Sequence, residues 1–72
     1  MERKREFTVV IEKDTEGYYI ATVPQLKGCH TQAKTLDELM KRIKEAVLLC
    51  LEAEGERGVE SLELVGIQKI AI

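Results

Sequence analysis

The longest hydrophobic pattern in the chain lies in residues 35–55, TLDELMKRIKEAVLLCLEAEG. Its apolar residues recur every three or four positions, the spacing of an α-helix that buries one stripe. The members of the stripe are Leu36, Leu39, Met40, Ile43, Ala46, Val47 and Cys50. Thr35 is a suitable N-cap, and the carboxylate of Glu38 can accept the backbone N–H of Thr35 to complete a capping box. Gly55 can end the helix. The pattern therefore predicts one amphipathic helix.

The segments before this helix are short and strand-like. Residues 7–13 alternate between two faces, and the apolar face carries Phe7, Val9 and Ile11. The composition of residues 14–17 is that of a turn, which joins this strand to a second one in a hairpin. The second and third strands are predicted at residues 18–23 and 29–33, and Pro24 ends the second strand because it has no N–H.

A fourth strand is predicted at residues 61–72, after a polar connection. Its apolar positions change parity around Gly66, which predicts a bulge there. The element order β-β-β-α-β predicts a single α+β domain over residues 1–72, with one helix packed on a four-stranded mixed sheet. A right-handed crossover places the last strand parallel to the first strand and beside it. Both outer strands then offer unpaired backbone groups to another chain.

The apolar stripe of the helix widens beyond Val47, where Leu48, Leu49 and Leu51 follow. Two interpretations remain open for these side chains. They form a broad core face, or a second subunit buries part of them. A chain of 72 residues buries a modest fraction of its surface, so self-association as a dimer or larger assembly would help it to stay folded.

Composition narrows the class of protein. A formal charge of −2 and a pI near 5.4 do not favour a nucleic-acid binder. The sequence contains no apolar run long enough for a membrane span and no signal-peptide core, and its two cysteines are expected to be reduced thiols of a cytoplasmic protein. The absence of asparagine and the abundance of glutamate are compatible with a thermophilic source.

The neighbouring residues Cys29 and His30 raise the question of a thiol–imidazole nucleophile. Adjacent residues of a strand point to opposite faces, so we expect Cys29 to point inward and His30 outward. Together with Cys50, which lies on the helix stripe, these residues are too few for a structural zinc site. We therefore expect no catalytic residue, no metal and no cofactor here.

With the elements placed, nearly the whole chain resembles the HicB family of antitoxins. The resemblance lies in the turn after Ile11-Glu12 and in the motifs Val23-Pro24, Gly28-Cys29, Thr31-Gln32 and Thr35-Leu36, at their spacing along the chain. It implies a partial ribonuclease-H-like fold. It also implies an antitoxin of a type II toxin–antitoxin system, which binds and masks a small basic HicA-type RNA-cleaving toxin.

Two further expectations follow from the resemblance. Typical HicB proteins carry a C-terminal DNA-binding segment, whereas this sequence reads as a short form, so we expect no direct DNA binding. The alternative function is an orphan HicB-like domain, an oligomeric binding module for another protein or a small ligand with no toxin partner.

A ribonuclease-H-like scaffold also raises the possibility of a nuclease, which needs clustered carboxylates to hold two metal ions. The candidate carboxylates are Glu12, Glu38, Glu45 and Glu63. Glu38 has a capping role, and the far end of the last strand carries Gln68 and Lys69 instead of acids. We therefore expect a binding protein and not an enzyme.

Two groups of residues are candidates for partner binding. Acidic residues gather after the helix, and they form either a solvated surface or a landing site for a basic toxin; they are Glu52, Glu54, Glu56, Glu60 and Glu63. Tyr18 and Tyr19 lie on opposite faces of the predicted second strand. One of them should face the helix, and the other is a candidate anchor on the uncovered face.

Overall fold

The computed structural model describes residues 6–54 and 62–72. Its elements are strands β1 (Val10–Lys13), β2 (Tyr19–Thr22) and β3 (His30–Ala33), followed by helix α1 (Leu36–Glu54). β2 pairs antiparallel with β1 on one side and with β3 on the other. The described part of the chain is thus an α+β fold, in which a three-stranded meander precedes a long helix.

The β1–β2 hairpin closes through the side chain of Asp14. Its Oδ1 atom accepts hydrogen bonds from the backbone N–H groups of Glu16 and Tyr18, each at 2.9 Å. Gly17 adopts φ 90°, a conformation that is strained for residues with a Cβ. The predicted turn at residues 14–17 is confirmed, because an Asx-type hydrogen bond and a glycine in the left-handed region satisfy its geometry.

The connection between β2 and β3 folds back on itself through three backbone hydrogen bonds. The N–H of Val23 donates to the carbonyl of Cys29 at 3.0 Å, the N–H of Leu26 to Val23 at 3.1 Å, and the N–H of Cys29 to Leu26 at 3.1 Å. Gly28 provides the left-handed conformation that this path needs, with φ 74°. All three hydrogen-bonded residues are buried and belong to the core.

The predicted helix is confirmed, and its N-cap is Thr35. Thr35 Oγ1 accepts the N–H of Glu38 at 3.2 Å. The expected return bond from Glu38 to the cap is replaced, because the Glu38 carboxylate pairs with Arg42 at 2.6 Å. Arg42 also donates to the carbonyl of Gln32 in β3 at 2.9 Å, which ties the helix to the outer strand. The predicted C-cap Gly55 lies outside the described residues.

The core lies between α1 and the two strands that it covers, β2 and β3. It consists of Ala21, Val23, Leu26, Cys29, Ala33, Leu39 and Ile43. Ile11 is paired with Ala21 and therefore shares the helix-facing side of the sheet. It is nevertheless 44% exposed, because α1 does not extend over β1.

β1 is shorter than the sequence pattern predicts. It begins at Val10, and the preceding residues 7–9, here called the lead-in, make no strand ladder. The reason is local: Pro24 follows the end of β2 and cannot donate to a ladder. The side chain of Gln25 accepts the N–H of Thr8 instead, at 3.3 Å. The other two strands match their predicted positions to within one residue at each end.

The predicted four-stranded mixed sheet is not found. Residues 62–72 belong to no strand, Gly66 therefore forms no bulge, and the sheet of the described chain has three antiparallel strands. Apolar alternation shows that a segment can form a strand but not which edge it pairs with. A strand forms only where another edge supplies its hydrogen bonds, and residues 62–72 are not paired with one.

Candidate partner-binding surfaces

An apolar groove runs between α1 and the lead-in of β1, on the side of the helix that overhangs the sheet. Its volume is about 550 Å³. It is lined by Phe7 and Val9 from the lead-in and by Met40, Ile43, Lys44, Val47, Leu48 and Leu51 from the helix. Apart from Lys44, the side chains that line the groove are uncharged. A groove of this composition is suited to apolar side chains of another segment.

The structure separates the three leucines that were predicted as an oligomer contact. Successive helical residues turn by about 100°, so Leu48 and Leu51 lie on the groove side with Lys44. Leu49 falls on the opposite flank with Arg42, which bonds to β3. Leu48 and Leu49 are almost equally exposed, at 66% and 65%. Leu48 and Leu49 are therefore almost equally exposed but have different neighbours.

The two tyrosines lie on opposite faces of the sheet, as predicted. Tyr19 packs against the core, and Lys13 from β1 places its Nζ atom 5.3 Å from the centre of the Tyr19 ring. Tyr18 is half-buried on the face that the helix leaves open, and Lys34 lies over its ring at 5.6 Å. A cation over an aromatic ring is a favourable contact that limits where the ring can point.

The open face of the sheet carries a mixture of apolar and polar side chains. Val10 and Ile20 are half-buried there, beside Tyr18. Glu12 and His30 are exposed on the same face, since Glu12 pairs with Ile20 and His30 with Thr22. An aromatic residue with apolar neighbours and a polar rim is the usual composition of a protein–protein contact.

Only part of the predicted acidic surface lies in the described residues. Glu52 and Glu63 are exposed. The side chain of Glu54 and the whole of Glu56 and Glu60 lie outside the described part of the structure. Their role as a landing site for a basic partner stays a prediction.

The structure separates the thiol of Cys29 from the imidazole of His30. Cys29 is 2% exposed, whereas His30 is exposed on the other face. Burial, together with a hydrogen bond to the thiol of Cys50, raises the pKa of Cys29 from 9.0 to about 11. The thiolate is the nucleophilic form, so this thiol is poorly suited to nucleophilic chemistry near neutral pH.

Glu12 and Glu38, two of the carboxylates considered for a nuclease, are not brought together. Glu12 points to the open face of the sheet, whereas Glu38 lies on the helix and is held by Arg42. Among the described residues, no three His, Cys, Asp or Glu side chains are grouped closely enough to hold a metal ion.

The groove was not predicted from the sequence. The apolar stripe of the helix and the apolar face of residues 7–11 were each predicted. That the two would line one groove, with Phe7 and Val9 opposite Met40, was not predicted. One signal pointed towards it, the widening of the helix stripe past Val47.

The described elements form a small α+β domain with one helix on an antiparallel sheet. The family model for HicB-like antitoxins of bacterial toxin–antitoxin systems matches residues 7–71. The chain therefore belongs to the HicB-like antitoxin family.

Several UPF0150 proteins are similar to this chain over nearly its whole length. One from Archaeoglobus fulgidus is 54% identical over 67 residues, covering 93% of this chain and 94% of that protein. One from Synechocystis is 51% identical over 70 residues, covering 96% and 97% of the two chains. One from Thermotoga maritima is 33% identical over 70 residues, covering 96% and 92%. These relatives are thus themselves short proteins. No solved structure gives a significant match.

Among the described residues, no helix combines the length and the apolar character needed to cross a membrane.

Proposed function

We propose that this chain is an antitoxin of a type II system that binds a small basic HicA-type RNA-cleaving toxin and masks its active surface. The observation that carries the proposal is the match of the HicB-like antitoxin model to residues 7–71. The chain acts by binding and contributes no catalytic group, in keeping with a protonated, buried Cys29 and separated carboxylates.

The open face of the sheet is the proposed contact for the toxin. Tyr18 is its aromatic anchor, and Lys34 restricts the orientation of the ring. Aromatic side chains held in one position lose little conformational entropy on binding and are common hot spots. Val10 and Ile20 surround the tyrosine with apolar area that a partner can cover.

The acidic residues would act at a longer range. Exposed carboxylates such as Glu52 and Glu63 attract a basic protein and raise its association rate, an effect that salt weakens. In this proposal Tyr18 contributes most of the binding free energy, and the acidic residues increase the association rate. Fast association would suit an antitoxin that must capture its toxin quickly.

The test is a binding and inhibition measurement with a HicA-type toxin encoded in the same genome. Titration calorimetry should give a defined stoichiometry, and RNA cleavage should fall to zero at that same ratio. Tyr18→Ala should weaken binding by roughly tenfold to a hundredfold. Lys27→Ala, an exposed change in the loop after β2, is the matched control and should bind normally. Binding without inhibition, or no binding at all, would contradict the proposal.

A second function is favoured by one observation, the exposed apolar groove. An orphan HicB-like domain without a toxin would use such a surface to assemble with other proteins or to take a small apolar ligand. The two functions differ in a bait experiment with lysate of the source organism. A small basic RNA-cleaving protein would be retained in the first case, and would be missing in the second.

A further inference from the structure

Residues 65–72, here called the arm, are mostly apolar and yet exposed, with Gln68 and Lys69 as the polar exceptions. Val65, Ile67 and Ile70 are 94%, 75% and 78% exposed. Scattered exposed apolar residues are common on proteins, but several within eight residues of one segment are not. The arm also belongs to no strand, so its backbone has no ladder partner. The arm therefore has many of the residue types of a buried strand, although it is exposed and pairs with no strand of the described chain.

The arm begins beside the lead-in of β1. Leu62 and Leu64 lie against Thr8 and Gln25, around a cavity of about 200 Å³. Beyond this point the side chains become more exposed, as the chain leaves the body of the domain. An extended arm of eight residues is about 26 Å long, similar to the roughly 23 Å spanned by the lead-in and β1 together. The arm is thus long enough to follow that whole edge.

The arm and the groove have complementary surfaces. The arm offers Ile and Val side chains, and the groove beside the lead-in is lined by apolar side chains with Lys44 at its margin. The outer edge of β1 pairs with no strand of the described chain, so it can supply backbone hydrogen bonds to an added strand.

We propose that the arm of one chain adds to the β1 edge of a second copy and seats the apolar side chains of one strand face, Ile70 and Ile72, in that copy's groove. The second copy returns its own arm in the same way, which closes a two-fold symmetric, strand-exchanged dimer. The exchange fills both grooves, pairs both open edges and removes both arms from water. This proposal does not depend on the existence of a toxin.

The first test compares two neighbouring leucines of almost equal exposure. The full-length chain should have the mass of two copies at micromolar concentration. Leu48→Glu places a charge in the groove and should raise the dimer dissociation constant roughly thirtyfold or more. Leu49→Glu places the same charge on the opposite flank and should leave the constant unchanged. Circular dichroism should show the same helix content in both variants.

The second test uses the unaltered protein. It distinguishes an arm that binds the groove of another copy from an arm that binds the groove of its own chain. Isotope-labelled and unlabelled chains are mixed, and nuclear Overhauser effects are collected between different chains only. Contacts between the methyl groups of Ile70 and those of Val47 should appear in this filtered spectrum. The same contacts restricted to one chain would overturn the proposal.

Three further results would also overturn it. These are a single-chain mass for the unaltered protein, a dimer that Leu48→Glu leaves intact, and a dimer that both variants dissociate equally. A single-chain mass combined with weaker toxin binding by Leu48→Glu would assign the groove to the toxin instead.

Discussion

Thr8 and Gln25 are joined by two hydrogen bonds of opposite direction. The N–H of Thr8 donates to Gln25 Oε1 at 3.3 Å, and Gln25 Nε2 donates to Thr8 Oγ1 at 3.5 Å. Because Pro24 ends β2 at this level, the side chain of Gln25 takes the place of a strand partner. The two bonds hold the lead-in beside the helix and thereby keep Phe7 and Val9 at the groove.

Gln25→Ala should lower the free energy of unfolding by about 1 kcal/mol, because both bonds are lost in a half-buried position. Urea denaturation followed by circular dichroism measures the change. Gln25→Glu keeps the acceptor for the Thr8 N–H but loses the donor, so its loss should be smaller. Equal losses for the two variants would show that the bond to the Thr8 N–H contributes nothing.

Gly17→Ala should destabilise the β1–β2 hairpin by about 1–2 kcal/mol, since a Cβ is strained at the φ of 90°. There is space for the new methyl group, so the cost is a backbone effect and not a clash. Gly66→Ala is the matched control: it also has open space around it but no left-handed φ, and its effect should stay within about 0.5 kcal/mol. Thermal denaturation of both variants makes the comparison. A larger loss for Gly66→Ala would contradict the turn geometry.

The raised pKa of Cys29 predicts a loss of stability in alkali. Below about pH 9 the thiol is protonated in the folded and the unfolded chain, so it adds no pH dependence. Between pH 9 and about 11 the unfolded thiol ionises while the folded thiol stays protonated, which favours unfolding by at most about 3 kcal/mol. The stability of the folded chain should therefore fall across this window.

The control is to compare the slope of stability against pH between the unaltered protein and two cysteine variants. Contributions from other groups that ionise in alkali are the same in all three proteins and cancel in the difference. Cys29→Ala should lose this part of the slope. Cys50→Ala should keep most of it, because burial of Cys29 is the main cause of its raised pKa and the hydrogen bond to Cys50 is a smaller one. Equal slopes in all three proteins would contradict the assignment to Cys29.

Reversing the charges of Glu52 and Glu63 together should slow the association of a basic toxin. The expected change at low salt is roughly tenfold in the association rate and much less in the dissociation rate. Stopped-flow fluorescence at several ionic strengths measures both rates. The difference from the unaltered protein should shrink as the salt concentration rises, because screening weakens long-range attraction. An association rate that is independent of these charges would assign the acids to a solvated surface.

The local elements were largely predictable, because each depends on residues that are close in sequence. The period of the stripe from Leu36 to Cys50 and the hydroxyl of Thr35 specify a helix without any tertiary contact. The Asp14 and Gly17 pair specifies a tight turn in the same way. The alternation across Cys29 and His30 was also sufficient to separate their side chains onto different faces.

The tertiary structure decided which of these elements meet. Glu38 could have bonded back to its cap or forward to Arg42, and the position of Arg42 beside the carbonyl of Gln32 selected the second arrangement. The exposure of Ile11 could not be read from its parity, because it depends on how far α1 extends across the sheet. Leu48 and Leu49 look alike in the sequence and differ only through their neighbours.

The sequence by itself determined the helix, the hairpin and the α+β class, together with membership of a family recognised from short motifs. The number of strands in the sheet, the groove and the exposure of the arm were decided by tertiary structure. The reason is physical: helix and turn hydrogen bonds close within a few residues, whereas a strand needs an edge supplied by a distant segment or another chain. The apolar pattern of residues 62–72 indicates that this segment can form a strand. Which strand edge it pairs with depends on the surfaces that the folded chains present.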